Sequence, residues 1–168
     1  MNLKLRALLI VGVFTVAPTF ANASYTFTAY GNLGGVYGAA YGINSFGQLA
    51  GHSSTSDGTH ATLWSENVVT DLGTLGGATS IAWAINDAGL IVGTSYTTSG
   101  NQHATLWTAS TMTDLGTLGG NRSFAYNIND SGQVVGMSEI NTFSNQTHAT
   151  IWNGTAITDL GTLAGGSS

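Results

Sequence analysis

Cysteine is absent from this chain, which excludes disulfides, Cys-type zinc sites and thiol chemistry. Proline occurs once, at Pro18, and charged side chains make up only 7% of the residues. That is a poor supply for the charge-laced surface of an exposed helix. Basic residues are the scarcest, with three Lys and Arg against eight Asp and Glu. So few cations cannot neutralise a phosphate backbone or hold an anionic bilayer, so nucleic acid and acidic lipid are excluded as partners.

Long apolar runs are missing too. The longest, Ala7 to Ala17, covers eleven residues; at about 1.5 Å each as helix it cannot cross a hydrocarbon core of roughly 30 Å. Lys4 and Arg6 precede it, Pro18 breaks it, and Ala21-Asn-Ala23 is a small-x-small cleavage site. This is the pattern of a secretory signal peptide over residues 1–23, so an exported product, extracellular or periplasmic, is expected from Ser24 onward. Removing the leader leaves Arg122 as the one Lys or Arg of the mature domain, 24–168.

What the chain has in abundance is glycine, 24 residues of it, with many Ser, Thr, Asn and Gln. That composition suits strands and turns. It is organised by a repeat. His60-Ala-Thr-Leu-Trp64, His103-Ala-Thr-Leu-Trp107 and His148-Ala-Thr-Ile-Trp152 are each followed, seven residues after the Trp, by Asp71, Asp114 and Asp159. Each Asp opens a Leu-Gly-Thr-Leu segment that runs on to a Gly-Gly pair. The His residues are 43 and then 45 apart.

Each unit divides into four short segments. The first, strand a (36–44, 78–86 and 121–129), carries Ala40-Tyr41, Ala82-Trp83 and Ala125-Tyr126 and ends Ile-Asn. An Asn/Asp and Gly turn leads to strand b, which contains Gly51, Gly93 or Gly136. A loop of varying length then precedes strand c at the His, and strand d follows in the Thr-Asp-Leu-Gly-Thr-Leu-Gly-Gly stretch. Tyr25 to Asn32 reads as a surplus, degenerate strand d. Four strands in about 43 residues predict an all-β, β-propeller-like array of three blades (about 33–75, 76–118 and 119–162) plus one extra strand, an incomplete ring. A β-sandwich has evenly spaced strands but no reason to repeat its sequence at this period.

In strand c the alternation puts His60, Thr62 and Trp64 on one face. A hairpin with a four-residue loop then sets Trp64 opposite Val69 and Thr62 opposite Asp71, with His60 diagonal to Asp71 and within hydrogen-bond reach. The same holds for His103, Thr105, Trp107 and Asp114, and for His148, Thr150, Trp152 and Asp159. Three identical His–Asp pairs are expected as buried fasteners, one per blade, because a catalytic site needs a single asymmetric constellation. The recurring Trp64, Trp107, Trp152 and Trp83 are expected in the core. No catalytic residue, metal ligand or cofactor is assigned: the Gly-x-Ser-x-Gly, His-Glu-x-x-His and Walker patterns are all missing, and Asp87 and Asp130 read as turn residues. Candidate contact residues are those that break the repeat near the variable loops, namely Asp57, Tyr96 and Phe143. Any ligand site is expected on the face where these loops lie beside the Gly-Gly pairs.

With His-Ala-x-Leu-Trp, Asp-Leu-Gly-Thr-Leu-Gly-Gly and Ile-Asn-x-x-Gly in place over Leu33 to Gly166, the chain resembles the HAF family of bacterial extracellular repeats. Thr62, Thr105 and Thr150 stand where the family's name implies Phe. The resemblance implies secretion and a repeat architecture, and brings no catalytic residues. A non-enzymatic structural or interaction module with an extracellular protein or glycan ligand is therefore expected, with a propeller-type glycan hydrolase or lyase as the alternative. Uncovered blade faces also lead to the expectation of either a homo-oligomer or a marginally stable fragment of a longer ancestor, the oligomer ahead of the fragment.

Overall fold

The computed structural model describes residues 30–162, and every regular element in that range is a strand. The expected signal peptide, residues 1–23, and Tyr25–Ala29 of the expected surplus strand lie outside the described residues; Tyr30–Asn32 carry no strand. Twelve strands fall into three units: β1 Gly38–Ile43, β2 Leu49–Ser54, β3 Thr59–Ser65 and β4 Val68–Asp71; β5 Gly76–Ile85, β6 Ile91–Thr97, β7 Gln102–Trp107 and β8 Met112–Asp114; β9 Ser123–Ile128, β10 Gln133–Glu139, β11 Thr147–Asn153 and β12 Ala156–Gly161. Each unit is an antiparallel meander. Trp64 pairs with Val69 and Thr62 with Asp71, and Thr105 with Asp114 and Thr150 with Asp159 repeat that register.

The fourth strand is shorter than the sequence suggests. In the first two units it stops at Asp71 and Asp114 instead of running on to the Gly-Gly pair. The Asp carboxylate accepts from the N–H two residues on, Gly73 or Gly116, at 2.8 Å, and both glycines take φ of 72°, a left-handed turn that ends a ladder. The first strand of the next unit fills the space: Ser80 Oγ accepts from Ala61 N–H at 2.8 Å and donates to the Gly73 carbonyl at 2.6 Å. Ser123 does the same for Ala104 and Gly116.

Ladder bonds between units are few. Thr59 pairs in parallel with Thr79, and Gln102 bridges to Arg122, so the strands form one eight-stranded and one four-stranded sheet that do not close on each other. The units are held instead face to face. Trp107 packs with Ala50, Ala61, Ala82, Ile85 and Ile91 between the first and second units, and Trp152 with Val92, Ala104, Leu115, Ala125 and Val134 between the second and third. Alanine recurs here because the sheets approach too closely for larger partners beside an indole. Each buried Trp removes roughly 150–250 Å² from water, worth about 4–6 kcal/mol by area. At one end of the units a ladder of turns joins them: Asn44 Nδ2 donates to the Asn86 carbonyl at 3.2 Å and Asn86 Nδ2 to the Asn129 carbonyl at 2.9 Å. Ser45 N–H donates to Asp87 and Asp87 N–H to Asp130, so these carboxylates serve turns.

The two outer faces of the described array expose positions that are buried at the junctions. Ile43 is 68% exposed where Ile85 and Ile128 are 8%, and Leu160 is 59% exposed where Leu115 is 3%. Val135 is exposed where Ala50 and Val92 are fully buried.

A β-bulge recurs in the first strand of every unit, between Ala40 and Gly42, between Ala82 and Ala84, and opposite Val135/Gly136. It leaves Tyr41, Trp83 and Tyr126 out of the ladder. A Cβ on Gly51, Gly93 or Gly136 would run into the carbonyl of Ala39, Ile81 or Phe124, so the bulge and the strand-b glycine require each other. Trp83 is consequently not a core side chain like the other three. It is partly exposed and stacks on Tyr41 with ring centroids 4.8 Å apart.

Candidate functional site

The three His–Asp pairs form as spaced. His60 Nδ1 lies 2.8 Å from Asp71, His103 Nδ1 2.8 Å from Asp114 and His148 Nδ1 2.9 Å from Asp159. They are not buried, contrary to expectation: the imidazoles are mostly covered but the carboxylates stand in solvent. The reason is local, since each Asp sits where the ladder ends or, at Asp159, shifts register, and one oxygen must reach the glycine N–H two residues on. The donated bond from His148 and the Gly161 N–H hold Asp159 below the usual carboxylate range. Thr62, Thr105 and Thr150 are buried and donate to the carbonyls of His60, His103 and His148. Each pair offers two groups, and among the described residues no three His, Asp or Glu side chains come together to hold a metal.

The three strand-c tryptophans are core residues. Trp152 Nε1 donates to the Leu115 carbonyl at 2.9 Å and Trp64 Nε1 to the Gly31 carbonyl at 2.8 Å, so Tyr30–Gly31 serves the first unit as the end of strand d serves the third. Trp107 Nε1 is buried with no acceptor. It lies on a groove of about 670 Å³ with Leu63, Leu72 and Ile91, at the end of the units that carries the Asn ladder. Most of its apolar lining is the same set of positions that packs tightly at the next junction, so it is a gap between units.

At the other end of the units the side chains that break the repeat converge. A cleft of about 560 Å³ opens between the β6–β7 loop, the start of β9 and the β10–β11 loop, lined by Tyr96, Asn101, Gln102, Arg122, Glu139 and Asn145 among others. Glu139 stands where the other units have Ser54 and Tyr96, and is buried. Its Oε2 accepts from the N–H groups of Asn121 and Arg122, each at 3.0 Å, and its Oε1 from Arg122 Nε at 2.6 Å. This clamp fixes the half-exposed guanidinium at the mouth of the cleft, with Nη2 at 3.4 Å from Asn145 Oδ1. Arg122–Glu139 is the one ion pair among the described residues that does not involve histidine. The Gly-Gly pairs lie alongside: Gly120 N–H donates to the Glu139 carbonyl and Gly35 N–H to the Ser54 carbonyl.

Of the residues singled out from sequence, Tyr96 lines this cleft and Phe143, 97% exposed, stands on its β10–β11 loop. Asp57 is elsewhere, in the β2–β3 turn, where the Thr55 hydroxyl donates to its carboxylate and keeps it below its ordinary range. Sequence reasoning missed Arg122, Glu139 and Asn145 as site residues. The signal that finds them is departure from the repeat at aligned positions: Tyr37, Thr79 and Arg122 in one column, Ser54, Tyr96 and Glu139 in the other. No family model matches the chain, and neither a curated protein nor a solved structure matches it. No helix among the described residues is long and apolar enough to cross a membrane.

Proposed function

We propose that the chain is an exported, non-enzymatic, β-propeller-like repeat protein of the HAF type, serving as an interaction module at or outside the cell surface. The observation that carries this reading is a division of labour. Residues that recur in every unit, the His–Asp pairs, the Trp and Thr of the third strand and the Asn turns, are consumed in holding strands and units together. Four that do not recur, Tyr96, Arg122, Glu139 and Asn145, meet in one cleft on the variable-loop face. A repeat scaffold presenting irregular loops is where binding diversity sits. Glu139, the carboxylate of this cleft, is engaged by three donors, two of them from Arg122, which supports a structural role for it.

The exposed apolar outer faces, around Ile43 at one end and Val135 and Leu160 at the other, favour cover by a second copy or further units. The test of the module reading is loop replacement. Exchanging the β10–β11 loop for a short Asn-Gly turn should abolish retention of the purified protein on an extracellular polymer fraction, while Asp87→Ala leaves it intact. The reverse result, or turnover of a glycan lost with Glu139→Gln, would sink the proposal.

A further inference from the structure

The loop-face cleft has a definite chemical character. Its walls are almost wholly polar, built from the carboxamides of Asn101, Gln102, Asn121 and Asn145 and the hydroxyls of Thr142 and Ser144. Its one cation, Arg122, is neutralised by Glu139, so it presents no net charge. Tyr96 supplies an aromatic wall that is partly exposed. From these features we infer that the cleft takes a neutral saccharide, a sugar ring bearing hydroxyls and no ionised group; this rests on the module reading above.

Each alternative ligand fails on one of them. An apolar peptide side chain would find no greasy pocket and would leave planar amides unpaired, at a cost in affinity. A phosphate or polyuronate needs uncompensated positive charge, and the one guanidinium lining the cleft is already paired. A neutral sugar needs what is present. Paired hydroxyls suit the two-pronged edges of guanidinium and carboxamide groups, and one apolar sugar face suits a tyrosine ring. Glu139 here is a positioning residue: it accepts from Asn121 N–H, Arg122 N–H and Arg122 Nε, and so fixes the guanidinium in the cleft lining, where Nη2 also reaches Asn145 Oδ1.

The experiment is calorimetry on the mature chain with tetrasaccharides of glucose, mannose and N-acetylglucosamine, beside tetragalacturonate and inorganic phosphate, at low and high salt. At least one neutral tetrasaccharide should bind with an affinity independent of salt. Tyr96→Ala should weaken it about tenfold, the scale of a lost aromatic contact. The paired change Arg122→Gln with Glu139→Gln removes both charges and so leaves none buried and unpaired, and should weaken binding further with the melting transition still cooperative. Tetragalacturonate or phosphate binding most tightly with steep salt dependence would overturn the inference, as would no neutral sugar binding or Tyr96→Ala without effect. Should no sugar bind while a purified protein partner is held and then lost in the loop replacement, this inference fails and the module reading stands.

Discussion

Trp152 Nε1 donates to the Leu115 carbonyl at 2.9 Å, while the equivalent indole of Trp107 is buried without an acceptor. The same residue in the same repeat position thus completes one junction and leaves the other open. Both Trp→Phe changes lose indole packing, but Trp152→Phe should cost about 1 kcal/mol more than Trp107→Phe, the net value of a buried hydrogen bond, because Trp107→Phe removes an unpaired donor. Urea unfolding of the two variants checks this; equal losses would mean that the Trp107 N–H is satisfied in solution.

The His–Asp pairs should behave as modest surface fasteners. A double-mutant cycle on His103 and Asp114 should give a coupling of roughly 0.2–1 kcal/mol, as solvent-exposed pairs do. Asp114→Ala should cost more than His103→Ala, because the carboxylate also accepts from Gly116 N–H. A coupling of several kcal/mol would point to a desolvated pair.

Acid should lower the stability of the protein over two pH ranges. His52 lies against Tyr37 and Tyr41, and burial lowers its pKa from the ordinary 6.5. A base lowered in this way is charged more readily when unfolded, so its contribution to stability is whole above about pH 6.5 and is lost as pH falls through that value toward its folded pKa. Asp159 is depressed below 3.8; its contribution is whole above that pH and disappears as pH falls through its folded value. Melting temperature against pH should therefore slope below 6.5 and again below 4, and His52→Gln should flatten the first slope alone.

The outer faces should differ from the junctions in what they tolerate. Leu115→Ala, at a filled junction, should cost about 2–5 kcal/mol, and Leu160→Ala, on an exposed face, about 0.5 kcal/mol or less. Light scattering on the mature chain should show association that weakens when Val135 and Leu160 are both changed to Thr. An assembly state indifferent to that double change would leave these faces out of the contact.

Much of the local structure was legible in the residues. Fixed spacing from His to Trp to Asp determined the hairpin register in all three units, because alternation in a strand leaves only one pairing that joins His60 to Asp71 once the turn length is set. The same repeat marked the Trp core and the all-β class. How far strand d ran, how exposed the Asp carboxylates were and where Trp83 pointed depended on contacts made outside the local hairpin. Ser80 displacing the ladder beyond Asp71 is one such contact, and the bulge opposite Gly93 is another. The cleft lay furthest from view. Tyr96 stands near the end of β6, whereas Arg122 and Glu139 face each other across the β9–β10 pair of the next unit with Asn145 on its variable loop, and the stacking of one unit on the next brought Tyr96 to the other three.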